Sequence, residues 1–427
     1  MTTEQQEKEQ AAAPAVIEKR GGFAVLRVLR HREFAIFWGG QAISLVGTWM
    51  QAFAQGWVVT GLTTSAFALG LVNFCSSIPT LVLMPFGGVT ADRVERRRIL
   101  VWTQLAMLIL AALMGVLVAL HRLQIWHVYV IALLLGVATA YDMPAYQAFY
   151  PQLVEREDLP QAISLNQATF HGARIIGPAA ASVVVALWGT AAAFFANAAS
   201  FVAVIISLGF VRPRPPGTTG HASAWSMMRE GIQYVRDRPN VQSLLGLTGI
   251  TTLFVFPNMA VLMPFYALHV LHVGAGGLGL MMSTSGAGAL VGSVLLLTVP
   301  AERRVGRIAM AAATILVTLS VLAWSRHLWL SAAAIACQSL AISTSLGLAS
   351  IIVQEMVPDA LRGRVMSLYS LMFMGVMPFS ALLITKLADW LGMRHELQLS
   401  ALLYANGALL LMWRLHRLTT SDQAPVG

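Results

Sequence analysis

Twelve stretches of apolar residues, each bounded by charged residues or by Gly and Pro, constrain this chain more than any other feature. A helix needs ~20 apolar residues to cross a ~30 Å hydrocarbon layer. The stretches fall near 34–59, 67–90, 98–120, 126–149, 162–187, 190–211, 241–267, 275–299, 308–325, 328–352, 365–388 and 396–415. They are long and continuously apolar, which disfavours a β-barrel built from short alternating strands. Composition excludes the soluble classes: 57% of the 427 residues are hydrophobic and 11% charged, against about 25% charged in soluble domains. The two cysteines, Cys75 and Cys337, lie inside apolar runs, so the chain is not a disulfide scaffold. The expected fold is an all-α integral membrane protein of twelve transmembrane helices.

Charge location sets the expected topology. With twelve spans, both tails and the loops after even-numbered spans share one side, and that side holds 23 of the 28 Lys and Arg residues. The other side has Arg122, Arg326, Lys386 and Arg394, and Arg174 lies within a span. By the positive-inside rule the rich side is cytoplasmic. The net charge of +9 is therefore read as a topology signal and not as a nucleic-acid footprint. Trp57, Trp126, Trp188, Trp324, Trp329 and Trp390 fall near the outer ends of spans, where an aromatic belt belongs. Residues 1–30 begin MTTEQQEKEQ, too polar and acidic for a signal peptide and without its apolar core, and are expected to form a cytoplasmic tail.

The chain divides in the middle. Residues 212–240 begin with crowded Pro and Gly, and then suggest a short amphipathic helix with Met227, Met228, Ile232 and Val235 on one face. This linker separates a six-span half at 31–211 from another at 241–417, followed by a tail at 418–427. The halves resemble each other: PQLVEREDLPQAISL after span 4 parallels VQEMVPDALRGRVMSL after span 10. Leu159 aligns with Leu361 and Ser164-Leu165 with Ser367-Leu368, an offset of 202–203 residues. A repeat at half-length fits a duplicated six-helix unit.

The loop between spans 2 and 3 reads GGVTADRVERRR, with Gly88, Asp92, Arg93, Arg96 and Arg97. A Gly at a helix end lets the backbone turn, and a carboxylate is stabilised at the start of another helix. The pattern G-x-x-x-D-R-x-x-R-[RK] at this place resembles the signature loop of the major facilitator superfamily, with Glu95 standing where that family has Gly. Residues 299–308, VPAERRVGRI, resemble a degraded copy. FWGGQAISLVGTWMQ, DMPAYQAFYPQLV, MPFYALHVLHVGAGGLGL and VPDALRGRVMSLYS look like the branch containing enterobactin exporters and macrolide-efflux proteins. The resemblance covers roughly residues 30–415 and implies two pseudo-symmetric six-helix bundles, with spans 1, 4, 7 and 10 lining a central cavity.

In span 1, Gln41, Ser44, Thr48, Gln51 and Gln55 fall within an arc of about 80° on one helix face. Polar groups in hydrocarbon are costly, so this stripe is expected to face the cavity, with interhelical hydrogen bonding as the alternative. Asn258 in span 7 and Gln338 in span 10 are further cavity candidates, and Met259, Met263, Tyr266, Tyr141 and Phe256 could form an adaptable apolar wall. Asp142 and Arg174 lie ~14 Å and ~18 Å in from the inner ends of spans 4 and 5. Each is costly alone in the bilayer, so we expect an Asp142–Arg174 ion pair, serving proton coupling or simply holding two helices. His171, one turn before Arg174, could join a relay.

Gly172, Gly177 and Pro178 resemble the Gly-Pro antiporter motif of drug–proton exporters. Ala173, Gly177 and Ala181 in span 5, and Thr284, Gly288 and Gly292 in span 8, form small-residue rows expected to make the sliding contact between halves. The three lysines follow no glycine, so no phosphate loop for ATP exists. We find no catalytic cluster, and expect no metal at the His269/His272 pair and no cofactor. The expectation is thus a monomeric, non-enzymatic secondary transporter in a bacterial inner membrane among its lipids. It exports an amphipathic or hydrophobic small molecule (drug, siderophore or secondary metabolite), in exchange for protons. Lipid or lysophospholipid transport is an alternative, and a non-transporting scaffold or receptor another.

Overall fold

The computed structural model describes residues 27–212 and 224–421. Residues 1–26 of the tail expected at 1–30, residues 422–427 of the tail expected at 418–427, the stretch 213–223 and the side chains of Met227 and Met228 lie outside the described residues. In hydrocarbon every backbone N–H and C=O must be satisfied within its own segment, and the described chain answers with helices throughout. The first half contains α1 (Arg32–Leu62), α2 (Ala66–Arg93), α3 (Arg96–Ala119), α4 (Ile125–Phe149), α5 (Leu159–Trp188) and α6 (Thr190–Gly209). A linker helix, α7 (Ala224–Arg236), follows where the amphipathic segment was expected. The second half contains α8 (Pro239–Phe254), α9 (Ala275–Leu295), α10 (Arg304–Trp324), α11 (Leu328–Met356), α12 (Asp359–Ser370), α13 (Met377–Leu391) and α14 (Met393–Ser421).

Among the described residues nine helical stretches are long and apolar enough to cross a membrane. The other three candidate stretches are diluted or broken. The polar stripe lies in α1, α14 opens and closes with charged residues, and the run from Pro239 to Val270 is interrupted. That interruption corrects the expectation of a continuous seventh span at 241–267. The helix stops at Val255, resumes over Phe256–Ala260, breaks at Val261–Leu262 and ends in a π-helical turn at Tyr266–Val270. Proline explains it: Pro257 and Pro264 lack the N–H and crowd the carbonyl four residues back. The Leu253 carbonyl, four residues before Pro257, is reached by the Ser380 hydroxyl at 2.6 Å, with Thr252 O at 2.9 Å from the same hydroxyl. The eleventh stretch is likewise interrupted, by a π-helical turn at Leu371–Gly375 between α12 and α13.

Short connections make sequence neighbours antiparallel. The arginine-rich loops therefore gather at one end of the molecule, here called the basic end. Side chains knit that end together within each half. Arg30 and His31 both reach Asp158 at the start of α5, at 2.9 and 2.8 Å. Arg304 pairs with Glu355, Arg364 with Glu230 of the linker helix, and Arg414 reaches Gln242 at 3.0 Å. At the opposite end Trp126, Trp188, Trp324, Trp329 and Trp390 are exposed. Gly189 and Gly392 turn two hairpins there with the same left-handed φ of 81°, a conformation that favours glycine. They are 203 residues apart, the offset of the sequence repeat.

Within the first half α2 packs on α4, α1 on α5 and α6, and α3 on α4 and α6; within the second, α11 packs on α9 and α10, and α14 on α8 and α10. Two long seams, α5 with α9 and α2 with α13, join one half to the other.

Candidate functional site

The seams between halves locate the site. At the end opposite the basic loops, Asp389 of α13 caps the start of α2: its carboxylate accepts from Ala66 N at 2.5 Å, Phe67 N at 3.2 Å and the Ser65 hydroxyl at 2.5 Å. A carboxylate there meets the positive end of the helix dipole. Lys386 lies 5.4 Å above the Phe67 ring beside it. Lower down, Phe74 meets Phe379 edge-on at 5.8 Å. On the other seam the Ser283 hydroxyl donates to Ile175 O at 2.9 Å and Arg174 Nη2 to Ser285 Oγ at 3.2 Å. Closer to the basic end, α4 packs on α2 and α3, and α11 on α9 and α10, and no comparable seam joins α4 to α11 among the described residues. The halves are thus clasped at one end and through the middle.

Arg174 stands at the lower edge of this clasp. Its guanidinium lies 5.7 Å over the Trp49 ring of α1, and its partner Ser285 is 3.0 Å from Ser339 Oγ in α11, itself 2.9 Å from Met259 Sδ. The Asp142–Arg174 ion pair expected from matching depth is not formed. Asp142 faces α3, where its Oδ1 accepts from Thr103 Oγ1 at 2.6 Å and Gln104 Nε2 at 3.1 Å. Although Tyr146 of α4 bonds Asn166 of α5 near the basic end, α5 packs along α1 and α9, not along α4. Depth can be read from sequence spacing; the direction in which two helix faces look cannot. His171 remains half-buried with Nδ1 lacking a hydrogen-bond partner, its ring edge-on to Phe170.

The polar stripe of α1 divides. Gln51 accepts from Asn197 Nδ2 of α6 at 2.7 Å, and Ser44 is buried on the face where Gly40 and Gly47 let Ser207, Ser200 and Asn197 approach. These two hold α1 to α6, as the interhelical alternative required. Thr48 is exposed and donates to Ser44 O, while Gln41 and Gln55 are partly buried. In the second half Met263 and Tyr266 are core residues, the Tyr266 hydroxyl donating to Leu322 O at 2.8 Å. Asn258 and Gln338 line one small cavity with Met259, Met393 and Leu397.

Sequence reasoning missed Glu396. It sits three residues into α14, fully buried, with Oε1 accepting from Ser400 at 2.5 Å and from Asn258 Nδ2 at 3.3 Å. The apolar stretch at 396–415 puts it at the very edge of a span; the signal in the sequence is Ser400 one turn on, on the same helix face.

The loop between α2 and α3 is held by Arg96, which is 8% exposed, donates to Ala91 O and Ala148 O, and lies 3.9 Å from Asp92. Arg93 is exposed and Arg97 half-buried. Gly88, expected to let the chain turn, lies inside α2 with open space around it; the close contact is at Gly87, where a Cβ would come within 2.1 Å of Ala140 O. Glu95 has φ −54° and pairs with Arg98, so glycine is not needed there. The small-residue rows are corrected too. A Cβ on Gly177 would meet Trp49 of α1, and Cβ atoms on Gly288 and Gly292 would meet the α11 backbone. The seam between α5 and α9 uses Gly279 and Gly286 instead, against Pro178–Ser182 and Arg174–Ile175, and Gly172 has open space around it.

Comparison with known proteins agrees with this architecture. Residues 23–427 match the model of the transmembrane secretion effector family. The chain is 24% identical to macrolide efflux protein A of Streptococcus pyogenes over 87% of its own length and 93% of that protein. It is 30% identical to the staphyloferrin A transporter of Staphylococcus aureus over 40% and 44%. Its fold is similar to an inward-facing, occupied structure of a bacterial homologue of the human lysosomal transporter Spinster, with TM-score 0.69 at 12% identity, covering 96% of this chain and 100% of that one. The chain belongs to the transmembrane secretion effector family of the major facilitator superfamily. These are multi-pass membrane transporters and not enzymes.

Proposed function

We propose that the chain is an efflux pump of twelve spans arranged as two six-helix bundles, residues 31–211 and 241–417. It moves an amphipathic or hydrophobic small molecule out of a bacterial cell by alternating access. The efflux activities named for similar proteins support export. The arginine bias puts the basic end and both termini in the cytoplasm, so the arrangement clasped at the opposite end is open to the cytoplasm. The observation that carries the reading is this one-sided clasp, with Arg174 at its edge and Asp142 partly accessible beyond it. The cavity is proposed to run between Gln41, Thr48 and Gln55 of α1, Asp142, Arg174 and the α11 face. Export is driven by proton entry, with Asp142 as the exchanging group: it has hydrogen-bond donors and no ion pair in the described structure. Rocking the halves breaks the Asp389 cap and the Arg174–Ser285 bond and closes the basic end.

The test is a substrate panel of macrolides, lipophilic cations and carboxylate siderophores in everted vesicles under an imposed ΔpH. Accumulation that collapses with ΔpH supports the reading. Accumulation indifferent to ΔpH contradicts proton exchange, and movement of lysophospholipid alone contradicts the cargo class.

A further inference from the structure

A second carboxyl lies inside the other half, and its surroundings are built for a neutral group. Glu396 has no exposed surface. Its Oε2 has no hydrogen-bond partner, and it takes part in no ion pair of the described structure. Ionised, it would combine full burial, an unsatisfied oxygen and no counter-charge, the costliest arrangement for a carboxylate. The charged and titratable groups on the elements around it serve elsewhere. From the seventh stretch, Tyr266 is bonded to Leu322 O and Ser331, and His269 lies against Phe265. From α13, Lys386 and Asp389 face α2. From α10, Arg304 and Arg307 belong to the basic end, and Arg326 follows the helix. On α14 itself Arg394 precedes Glu396 by two positions, on the opposite face, His395 bonds Leu391 O, and Tyr404 lies two turns further on.

What does touch Glu396 is an interrupted helix. Asn258 lies between the two breaks of the seventh stretch and divides its Nδ2 between Phe254 O at 3.0 Å and Glu396 Oε1 at 3.3 Å. Its Oδ1 is unpartnered, as is Gln338 Nε2. Both residues line the cavity shared with Met393 and Leu397, whose free space of ≈ 10 Å³ is about that of one water. An unpartnered amide oxygen, an unpartnered donor and a one-water space thus meet at Asn258, which bonds the carboxyl between two breaks of its helix.

We propose that Glu396 is a second proton-binding site of the transport cycle, housed in the C-terminal half and read out by Asn258. The inference rests on the proton-exchange reading above. In the clasped arrangement the neutral carboxyl is sealed. Before the clasp opens, the Oε2–H bond breaks and the proton passes to water on the cytoplasmic side, leaving a carboxylate. Its stronger, charge-assisted bond draws Asn258 Nδ2 away from Phe254 O and rearranges the break. Reprotonation from the outer side restores the sealed form.

Two measurements test this. Infrared difference spectroscopy of the purified full chain is expected to show a protonated-carboxyl C=O band at pH 7 that Glu396→Gln removes and Asp142→Asn leaves. Absence of any band sensitive to Glu396→Gln overturns the site. If that variant fails to insert, Ser400→Ala and Asn258→Ala are expected to shift the band, and a band unmoved by both overturns it equally. In vesicles, Glu396→Gln is expected to lower the slope of cargo accumulation against ΔpH by about one proton per cargo while cargo counterflow without ΔpH persists. An unchanged slope overturns its role in transport. A wild-type protein with the band but no pH-driven flux contradicts proton exchange itself, not the protonated site.

Discussion

The two halves share a repeat but spend it differently. In the first, α1 and α5 run unbroken for 31 and 30 residues, and the internal carboxyl, Asp142, is partly accessible and bonded to two donors. In the second, the corresponding stretches are broken at Val255, at Val261–Leu262 and by the turn at Leu371–Gly375, and the internal carboxyl, Glu396, is sealed with one oxygen unpartnered. The difference lies in two prolines and in the Ser380 hydroxyl that tolerates them. In the alternating-access cycle proposed above, the interrupted second half is the part expected to bend and the first half the frame.

The largest effect that could break this contrast is at Asp142. Asp142→Asn is expected to abolish ΔpH-driven accumulation while leaving expression and thermal stability close to wild type; unchanged pH-driven flux would return the residue to a structural role. Ser380→Ala removes the hydroxyl proton that reaches the Leu253 carbonyl freed by Pro257, at a cost of about 1–3 kcal/mol. We expect a lower Tm in detergent, and no change would mean that the break is held by other contacts. Asp389→Ala removes the cap of α2 and only the clasped state feels it, so about 1 kcal/mol shifts the clasped population by a factor of about five. Cross-linking yield between positions 65 and 389, both changed to Cys, against pairs at the basic end measures the same opening. Gln51→Ala breaks one interhelical bond, worth ~0.6 kcal/mol on average, and is expected to affect stability more than cargo selectivity, with Thr48→Ala doing the reverse.

The smallest effect is a pH dependence. A hydrogen bond from His31, followed by the charge of Arg30, holds the Asp158 carboxyl below the usual carboxylate range. Its contribution to stability is therefore present above about pH 4 and is lost as the pH falls through the lowered folded value. Asp158→Asn should flatten that acid limb in a Tm-versus-pH series, and an unchanged limb would assign it to other carboxylates.

Helix positions were legible in the sequence because hydrocarbon imposes length and apolarity on every span: α2 begins at Ala66 for an expected 67, and α11 at Leu328 as expected. The linker helix was legible from its amphipathic spacing between the two runs of spans. What one sequence does not contain is azimuth. Asp142 and Arg174 matched in depth yet look at α3 and α9. Gly177 belonged to a recognisable row, but its row faces α1. Pro257 and Pro264 were visible and signalled breaks that the apolar run concealed. Glu396 was hidden because burial at the edge of a span is set by neighbours from α8 onward, not by its own flanks.

The central claim is that the halves, clasped at the end opposite the basic loops, exchange that clasp for one at the basic end. It is tested most directly by pulsed electron–electron spin distances in lipid nanodiscs. In a variant lacking Cys75 and Cys337, one label pair replaces the exposed Glu155 and Glu302 at the basic end, and another replaces Arg122 and Arg326 at the opposite end. As pH is changed or cargo is added, the account predicts that the first distance shortens while the second lengthens. Two distances that stay fixed, or that change in the same sense, would contradict it.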